Sequence, residues 1–296
     1  MTNVSIYLMA RDRPQYIMRS INSIFNQTFQ NFNFIVSDNS ATNEVQNIIV
    51  NNNIKDPRFT YIRRCQPFES GIDHINAIHH EVQTQYYIIF HDDDIMLPEM
   101  VGQLYETIKE DNKIVAVGGF AYTIKNGRKI SSKIPNNKEI IDSPVTLISK
   151  YTSGGANAAF ASYMYNKHLL TNFIEKKNGG KYSDCSFIVS LPQNGLVVHI
   201  PYPLMEITIH EGQDSQDHNF CEYLSLIKYL KRIAGKENKK GITRLRVFNI
   251  YNELVRRHKK DSIPLYSLRI LRLLFTLSPT SFFLKYIIRM LHLYNK

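Results

Sequence analysis

Two apolar patterns alternate along the first 120 residues. Short unbroken apolar runs, each closed by charge or polar residues, read as buried strands: VSIYLMA (4–10), NFIVSDNS (33–40), RFTYIRR (58–64), YYIIF (86–90) and KIVAVGGF (113–120). Between them, apolar residues recur every three or four positions, as Ile17, Ile21, Ile24 and Phe25 do after Pro14, a residue suited to a helix's first turn. Helices are likewise predicted over 42–53, 71–82 and 98–111. The resulting βαβαβαβαβ order predicts an α/β fold, a Rossmann-like, mostly parallel sheet flanked by helices. In such sheets ligands bind beyond the carboxyl ends of the strands. Asp38 and the run Asp92, Asp93, Asp94 both fall there.

From 120 to 220 the pattern is less regular. SGGANAAFASYMY (153–165) reads as a glycine-bearing loop entering a strand, and SDCSFIVSLPQNG (183–195) as a helix ended by Asn194-Gly195. LVVHIPYPLMEITIH (196–210) reads as one or two strands broken by Pro201 and Pro203, and HEGQDSQDHN (210–219) as a polar loop. The Gly154-Gly155 pair suits a turn or a close backbone approach to substrate. Beyond Phe220 the chain reads as helical and basic. In SFFLKYIIRMLHLYNK (281–296), Phe283, Ile287, Met290 and Tyr294 share one helical face while Lys285, Arg289, His292 and Lys296 lie away from it; LYSLRILRLLF (265–275) is similar but more apolar. Three units are expected: residues 1–118, residues 119–220, and a basic helical region, 221–296.

Charge sharpens that division. The net charge is +10, yet residues 221–296 carry 17 Lys and Arg against 4 Asp and Glu, and the first 220 carry 19 against 22. The excess therefore sits in the last quarter, as expected of a segment that faces an acidic partner. A membrane surface is the favoured partner, with packing on the rest of the fold as the alternative. Nothing resembling a helix-turn-helix, zinc finger or RNA-binding signature supports nucleic acid. Cys65, Cys185 and Cys221 are far apart and form no metal or redox spacing, which fits a reducing compartment. MTNVSIYLMARDRP lacks the pattern of a secretory leader, and no apolar stretch reaches the roughly 18 residues of a membrane span. A cytoplasmic location is expected, including a peripheral one on the cytoplasmic face of the inner membrane.

The chemistry centres on YYIIFHDDDIMLP (86–98). Three adjacent carboxylates repel one another when ionised, and a cation among them relieves this. Carboxylates two residues apart at a strand end suit one hard divalent ion, Mn²⁺ or Mg²⁺, whose shell is completed by water and phosphate oxygens. A solvated acidic loop is the plainer alternative.

These segments, taken in order, resemble family 2 glycosyltransferases of the GT-A fold, of the kind that assembles bacterial surface polysaccharides such as O-antigen (lipopolysaccharide) or capsule. VSIYLMARDRPQYIMRSINSIFNQTFQNFNFIVSDNS resembles the family's opening, with an S-x-x-x-Q-T pattern at Ser23, Gln27 and Thr28. FHDDDIMLPE resembles its DXD segment, YSDCSFIVSL its later acidic motif, and PYPLMEITIHEGQDS its strand ending in histidine. The match spans about residues 4–217.

The resemblance implies an inverting, metal-dependent transfer of a sugar from a UDP-, GDP- or dTDP-linked donor to a glycan or lipid-linked glycan acceptor. Residues 1–118 would form the nucleotide-sugar half and 119–220 the acceptor-binding, catalytic half. Asp38 would bind base or ribose, Asp92 the ribose, and Asp94 or Asp93 the metal, with Asp93 also placed among the donor-binding residues. The family's first DXD aspartate, seven residues before the proline, is His91 here, so the register stays open. Asp184 would be the catalytic base, although Ser183 stands where the family has a glutamate; its plainer role is a helix first-turn acid. His210 would contact metal or diphosphate, or stand at the surface. Arg11 suits a contact to phosphate or base, or a solvated surface position. A sugar nucleotidyltransferase is disfavoured because ARDRPQ (10–15) has no glycine, and a two-carboxylate hydrolase because of the nucleotide-binding layout. A catalytically inactive scaffold is disfavoured by retention of Asp92–Asp94, Asp184 and His210.

Overall fold

The computed structural model describes residues 2–125, 128–131, 134–154, 157–210 and 218–261. The basic segments at 265–275 and 281–296, Gly155, and 211–217 of the polar loop lie outside the described residues. The chain runs β1 (Val4–Ala10), α1 (Pro14–Phe25), β2 (Asn33–Asp38), α2 (Glu44–Asn51), β3 (Phe59–Arg63), α3 (Gly71–Glu81), β4 (Tyr86–His91), β5 (Ile95–Met96) and α4 (Met100–Ile108). It continues through β6 (Ile114–Lys125), β7 (Arg128–Ser131), β8 (Glu139–Ile141), α5 (Pro144–Ser153), β9 (Met164–Asn166), α6 (Ser183–Ser190), β10 (Leu196–Thr208), α7 (Phe220–Ala234) and α8 (Lys239–Asp261).

Among the described residues all ten strands join one sheet, with the central path β3-β2-β1-β4-β9-β6-β10-β5. The first four positions on that path are parallel, as the alternating pattern predicts. Short β9 then enters antiparallel to both β4 and β6, and β10 lies parallel to β6. One sheet therefore runs through residues 1–118 and 119–220, and that boundary falls inside β6.

The unbroken apolar runs exist because both faces of the sheet are covered. Ile6, Leu8, Ile88 and Phe90 pack with Ile17, Ile21 and Ile24 of α1. Their alternating neighbours Tyr7, Tyr87 and Ile89 pack on the opposite side with Ile75 and Ile78 of α3 and with residues of α5, α6 and α7. Leu8 is fully buried, so truncation to alanine there costs about 2–5 kcal/mol.

β10 is one strand of 13 residues despite its two prolines. Its register slips between His199 and Pro203 and again before Met205. Residues 197–199 pair with β8, whereas 205–206 pair with β5. The prolines thus sit where the strand bulges and exchanges partners, a place where a missing N–H is tolerated. Gly154 ends α5 in the left-handed conformation, φ 69°, which favours glycine. Among the described residues no helix is long and apolar enough to cross a membrane.

Candidate active site

β1 ends at Ala10, and the chain turns into α1 through Asp12, held at φ 51°, a conformation that a short polar side chain tolerates. The Asp12 amide donates to Ser40 Oγ at 2.8 Å, and Asp12 Oδ1 accepts the Ala41 amide at 2.8 Å. The loops after β1 and β2 are thereby tied together at the carboxyl rim of the sheet.

The acidic run leaves β4 on this rim. Asp92, Asp93 and Asp94 are all buried. Asp92 Oδ2 accepts the Arg11 amide at 2.9 Å, and Asp92 Oδ1 meets Arg13 Nη1 at 3.0 Å. The same Arg13 nitrogen lies 3.1 Å from Asp93 Oδ2. That oxygen also faces His210 Nε2 at 2.9 Å. The His210 ring lies against Tyr16, with centroids 4.8 Å apart. Asp94 Oδ1 accepts the Thr208 amide at 3.2 Å, and Asp94 Oδ2 is 3.8 Å from His91 Nδ1. The sequence-derived candidates Asp92, Asp93, Asp94 and His210 thus converge. Arg11 contributes its backbone amide to Asp92, and its side chain is exposed.

Neighbouring charges set the protonation of these groups. Burial pushes the Asp92 carboxyl up to about 6, against the opposing pull of Arg13 and the Arg11 amide. At Asp93 burial also works upward, but the His210 hydrogen bond and the charges of His91 and Arg13 outweigh it and hold the carboxyl below its ordinary range. Burial disfavours the charged form of His91, yet Asp94, Asp93 and Asp92 together raise its pKa.

The back of the acidic turn is laced to α1. Ser20 Oγ lies 2.7 Å from the carbonyl oxygens of both Asp92 and Asp94. Ser23 Oγ accepts the Met96 amide at 3.0 Å. Gln27 Nε2 donates to Leu97 O at 2.8 Å and Ser23 O at 3.1 Å, and its Oε1 accepts the Val101 amide at 3.0 Å. The Thr28 amide donates to Pro98 O at 2.9 Å. This is the physical content of the S-x-x-x-Q-T pattern: its polar side chains satisfy the backbone of the turn that presents the carboxylates.

Asp38 is fully buried at the end of β2. Its Oδ2 accepts Tyr61 OH at 2.6 Å and Arg63 Nη1 at 2.8 Å, and its Oδ1 accepts the Ser40 amide at 2.9 Å. Both side-chain partners come from β3, whose register sets Arg63 opposite Asp38. Asp38 therefore fixes Tyr61, Arg63 and the Ser40 amide at the β2 end of the rim.

Asp184 lies in the first turn of α6, part-buried, with Oδ1 accepting the Cys185 amide at 2.8 Å. Burial raises its carboxyl, and His91 is close enough to lower it in part. Arg13, Arg19, Ser20, Tyr61 and Arg63 escape sequence reasoning because each acts across long-range contacts. Arg19 Nη2, for example, donates to Asp93 O and Thr208 Oγ1, both at 2.7 Å.

The donor set suits a divalent ion. His91, Asp93 and Asp94 offer ligand atoms all within 4.8 Å of one another, and the Arg13 guanidinium shows that this pocket of carboxylates accepts positive charge. Carboxylate oxygens and an imidazole nitrogen are ordinary ligands for such ions.

The family model for glycosyl transferase family 2 matches residues 5–169. An uncharacterized glycosyltransferase of Methanocaldococcus jannaschii is 27% identical over 137 residues, covering 46% of this chain; the chain spans about half (47%) of that relative's length. Among solved structures, residues 1–349 of S. aureus TarS in complex with UDP-GlcNAc superpose with a TM-score of 0.62 at 12% identity, covering 93% of this chain and 80% of that one. The mannosyltransferase PcManGT from Pyrobaculum calidifontis, in complex with GDP-Man and Mn²⁺, gives 0.57 at 10% identity, covering 93% and 79%. At these identities the likeness concerns the fold.

Proposed function

Because the chain belongs to glycosyl transferase family 2, we propose that it transfers a sugar from a nucleotide-sugar donor to a hydroxyl of a glycan acceptor, with inversion at the anomeric carbon. The observation that carries this reading is the convergence of Asp92, Asp93, Asp94 and His210 on the carboxyl rim of the sheet. The fold neighbours bind UDP-GlcNAc or GDP-Man with Mn²⁺, which supports a donor of that class here.

Asp93 and Asp94 would hold a divalent ion, which when bound supplies Lewis-acid neutralisation of the diphosphate leaving group. Asp92 faces the ribose. Asp38 fixes Arg63 and Tyr61 at the nucleotide end, and Arg13 and Arg11 meet the phosphates. Asp184 takes the proton of the acceptor hydroxyl as that oxygen attacks. A carboxyl raised by burial suits this task, since its basicity moves toward neutral pH. Arg13, beside Asp92 and Asp93, carries the charge needed to stabilise the departing diphosphate. The basic excess of residues 221–296 supports a lipid-linked acceptor at an anionic membrane surface, as in surface polysaccharide synthesis.

Calorimetric titration of UDP, GDP and dTDP with and without Mn²⁺, repeated on an Asp92→Asn, Asp94→Asn double variant, tests the site. One nucleotide is expected to bind only with the ion, and the variant to lose it. Metal-independent binding, or none in any condition, removes the reading's main support.

A further inference from the structure

We propose that His91 is a nitrogen ligand of the ion site, and that it biases the protein toward first-row transition ions over Mg²⁺. The inference deepens the transferase reading and rests on it. His91 closes β4 on the same face as Tyr87 and Ile89. Its ring is backed by Phe160, with centroids 6.0 Å apart, and remains about one-third exposed on its open side. Its Nδ1 lies 3.8 Å from Asp94 Oδ2, and together with an Asp93 oxygen the three donor atoms fit within 4.8 Å. An ion bonded at roughly 2.0–2.2 Å spans donors up to roughly 4.4 Å apart. The trio therefore closes on an ion with movements of a few tenths of an ångström.

The other histidine is differently engaged. His210 Nε2 faces the Asp93 carboxylate at 2.9 Å. That nitrogen is occupied by the Asp93 oxygen it faces. His210 thus orients Asp93 as a positioning residue, while His91 faces Asp94 from the end of β4. Replacing a carboxylate by an imidazole in a DXD-type segment removes a hard oxygen donor and adds a nitrogen donor. Affinity then rises more steeply along the series Mg²⁺, Mn²⁺, Co²⁺.

The test uses the full chain stripped with a chelator and titrated with Mg²⁺, Mn²⁺ and Co²⁺ by calorimetry, alone and with saturating UDP or GDP. Pulsed electron paramagnetic resonance of the Mn²⁺ form reads nitrogen bonded to the ion. The wild type is expected to prefer Co²⁺ over Mg²⁺ by at least about tenfold, and His91→Asp to bring the two within about threefold. Nitrogen coupling is expected in the wild type and in His210→Gln, and is expected to be absent in His91→Asp and His91→Asn. Circular dichroism verifies that each variant is folded. Nitrogen coupling that survives in folded His91→Asp, or an unchanged ion preference, overturns the assignment and leaves the transferase reading intact. No ion binding under any condition overturns both.

Discussion

Replacing Gln27 with methionine keeps the volume of a buried side chain and deletes its polar end. Gln27 is 1% exposed. Three backbone groups lose a partner: the carbonyls of Ser23 and Leu97 and the amide of Val101. A buried group left unsatisfied costs about 1–3 kcal/mol. Val101 is fully buried, whereas the Leu97 carbonyl keeps the Met100 amide as a donor at 3.0 Å. The expected loss is therefore about 2–4 kcal/mol, well above the roughly ±0.5 kcal/mol of an ordinary surface change. Urea unfolding measures it, with Glu99→Ala as the control: the Glu99 carboxylate accepts the exposed Thr28 hydroxyl at 3.0 Å. Because Leu97 and Val101 flank Pro98, the carboxylates loosen with them, and metal-dependent nucleotide affinity is expected to fall by about tenfold or more. A Gln27→Met protein within about 0.5 kcal/mol of wild type, with nucleotide affinity unchanged, would show that the lacing of the turn to α1 is not what shapes the site.

Other outcomes are equally specific. Asp184→Asn is expected to reduce transfer by about 10²–10⁴-fold while nucleotide–Mn²⁺ affinity, read by calorimetry, stays within about twofold of wild type; equal loss of both would make Asp184 a structural residue. Arg13→Gln removes the cation that bridges Asp92 and Asp93, so Mn²⁺ affinity without nucleotide is expected to rise about three- to tenfold, while nucleotide affinity falls; a parallel fall in both would remove Arg13 as the ion's competitor. His199 is buried, with Nε2 2.7 Å from Tyr163 OH and Nδ1 3.8 Å from Glu139. Burial, aided by Lys150, pushes its pKa down to about 4. The folded protein then binds fewer protons than the unfolded chain between about pH 6.5 and 4. This stability is complete above pH 6.5 and is lost as pH falls through 4, by about 2–3 kcal/mol. His199→Gln should flatten that part of the urea-midpoint profile, and an unflattened profile would assign the acid loss elsewhere.

The sequence reveals the elements whose signal is local. Strands β1 to β4 are legible as apolar runs because both their faces are covered, and α1 because Ile17, Ile21 and Ile24 repeat at helical spacing. The carboxylate turn is legible from charge placed directly after a strand. Legibility fails where pairing is long-range. Three-residue β9 is too short for a period of its own, and it reverses the sheet between β4 and β6. Pro201 and Pro203 read locally as breaks, yet they mark an exchange of partners within continuous β10. The engagement of Asp38 by Tyr61 and Arg63 depends on the register of β2 against β3, which no local pattern encodes. Arg13 looks like one more loop charge until the fold sets two carboxylates beside it.

The far end of β10 has a mechanical meaning. Met205 and Glu206 pair with the two residues of β5, the Thr208 amide holds Asp94, and His210 holds Asp93. The strand acts as a lever arm joined to the carboxylates by these two hydrogen bonds. Tension on the chain at residue 210, from a fused cargo or an optical trap, is transmitted to the Asp93 and Asp94 carboxylates within a few bonds. On the proposed ion role of Asp93 and Asp94, ion affinity becomes a gauge of force on that strand.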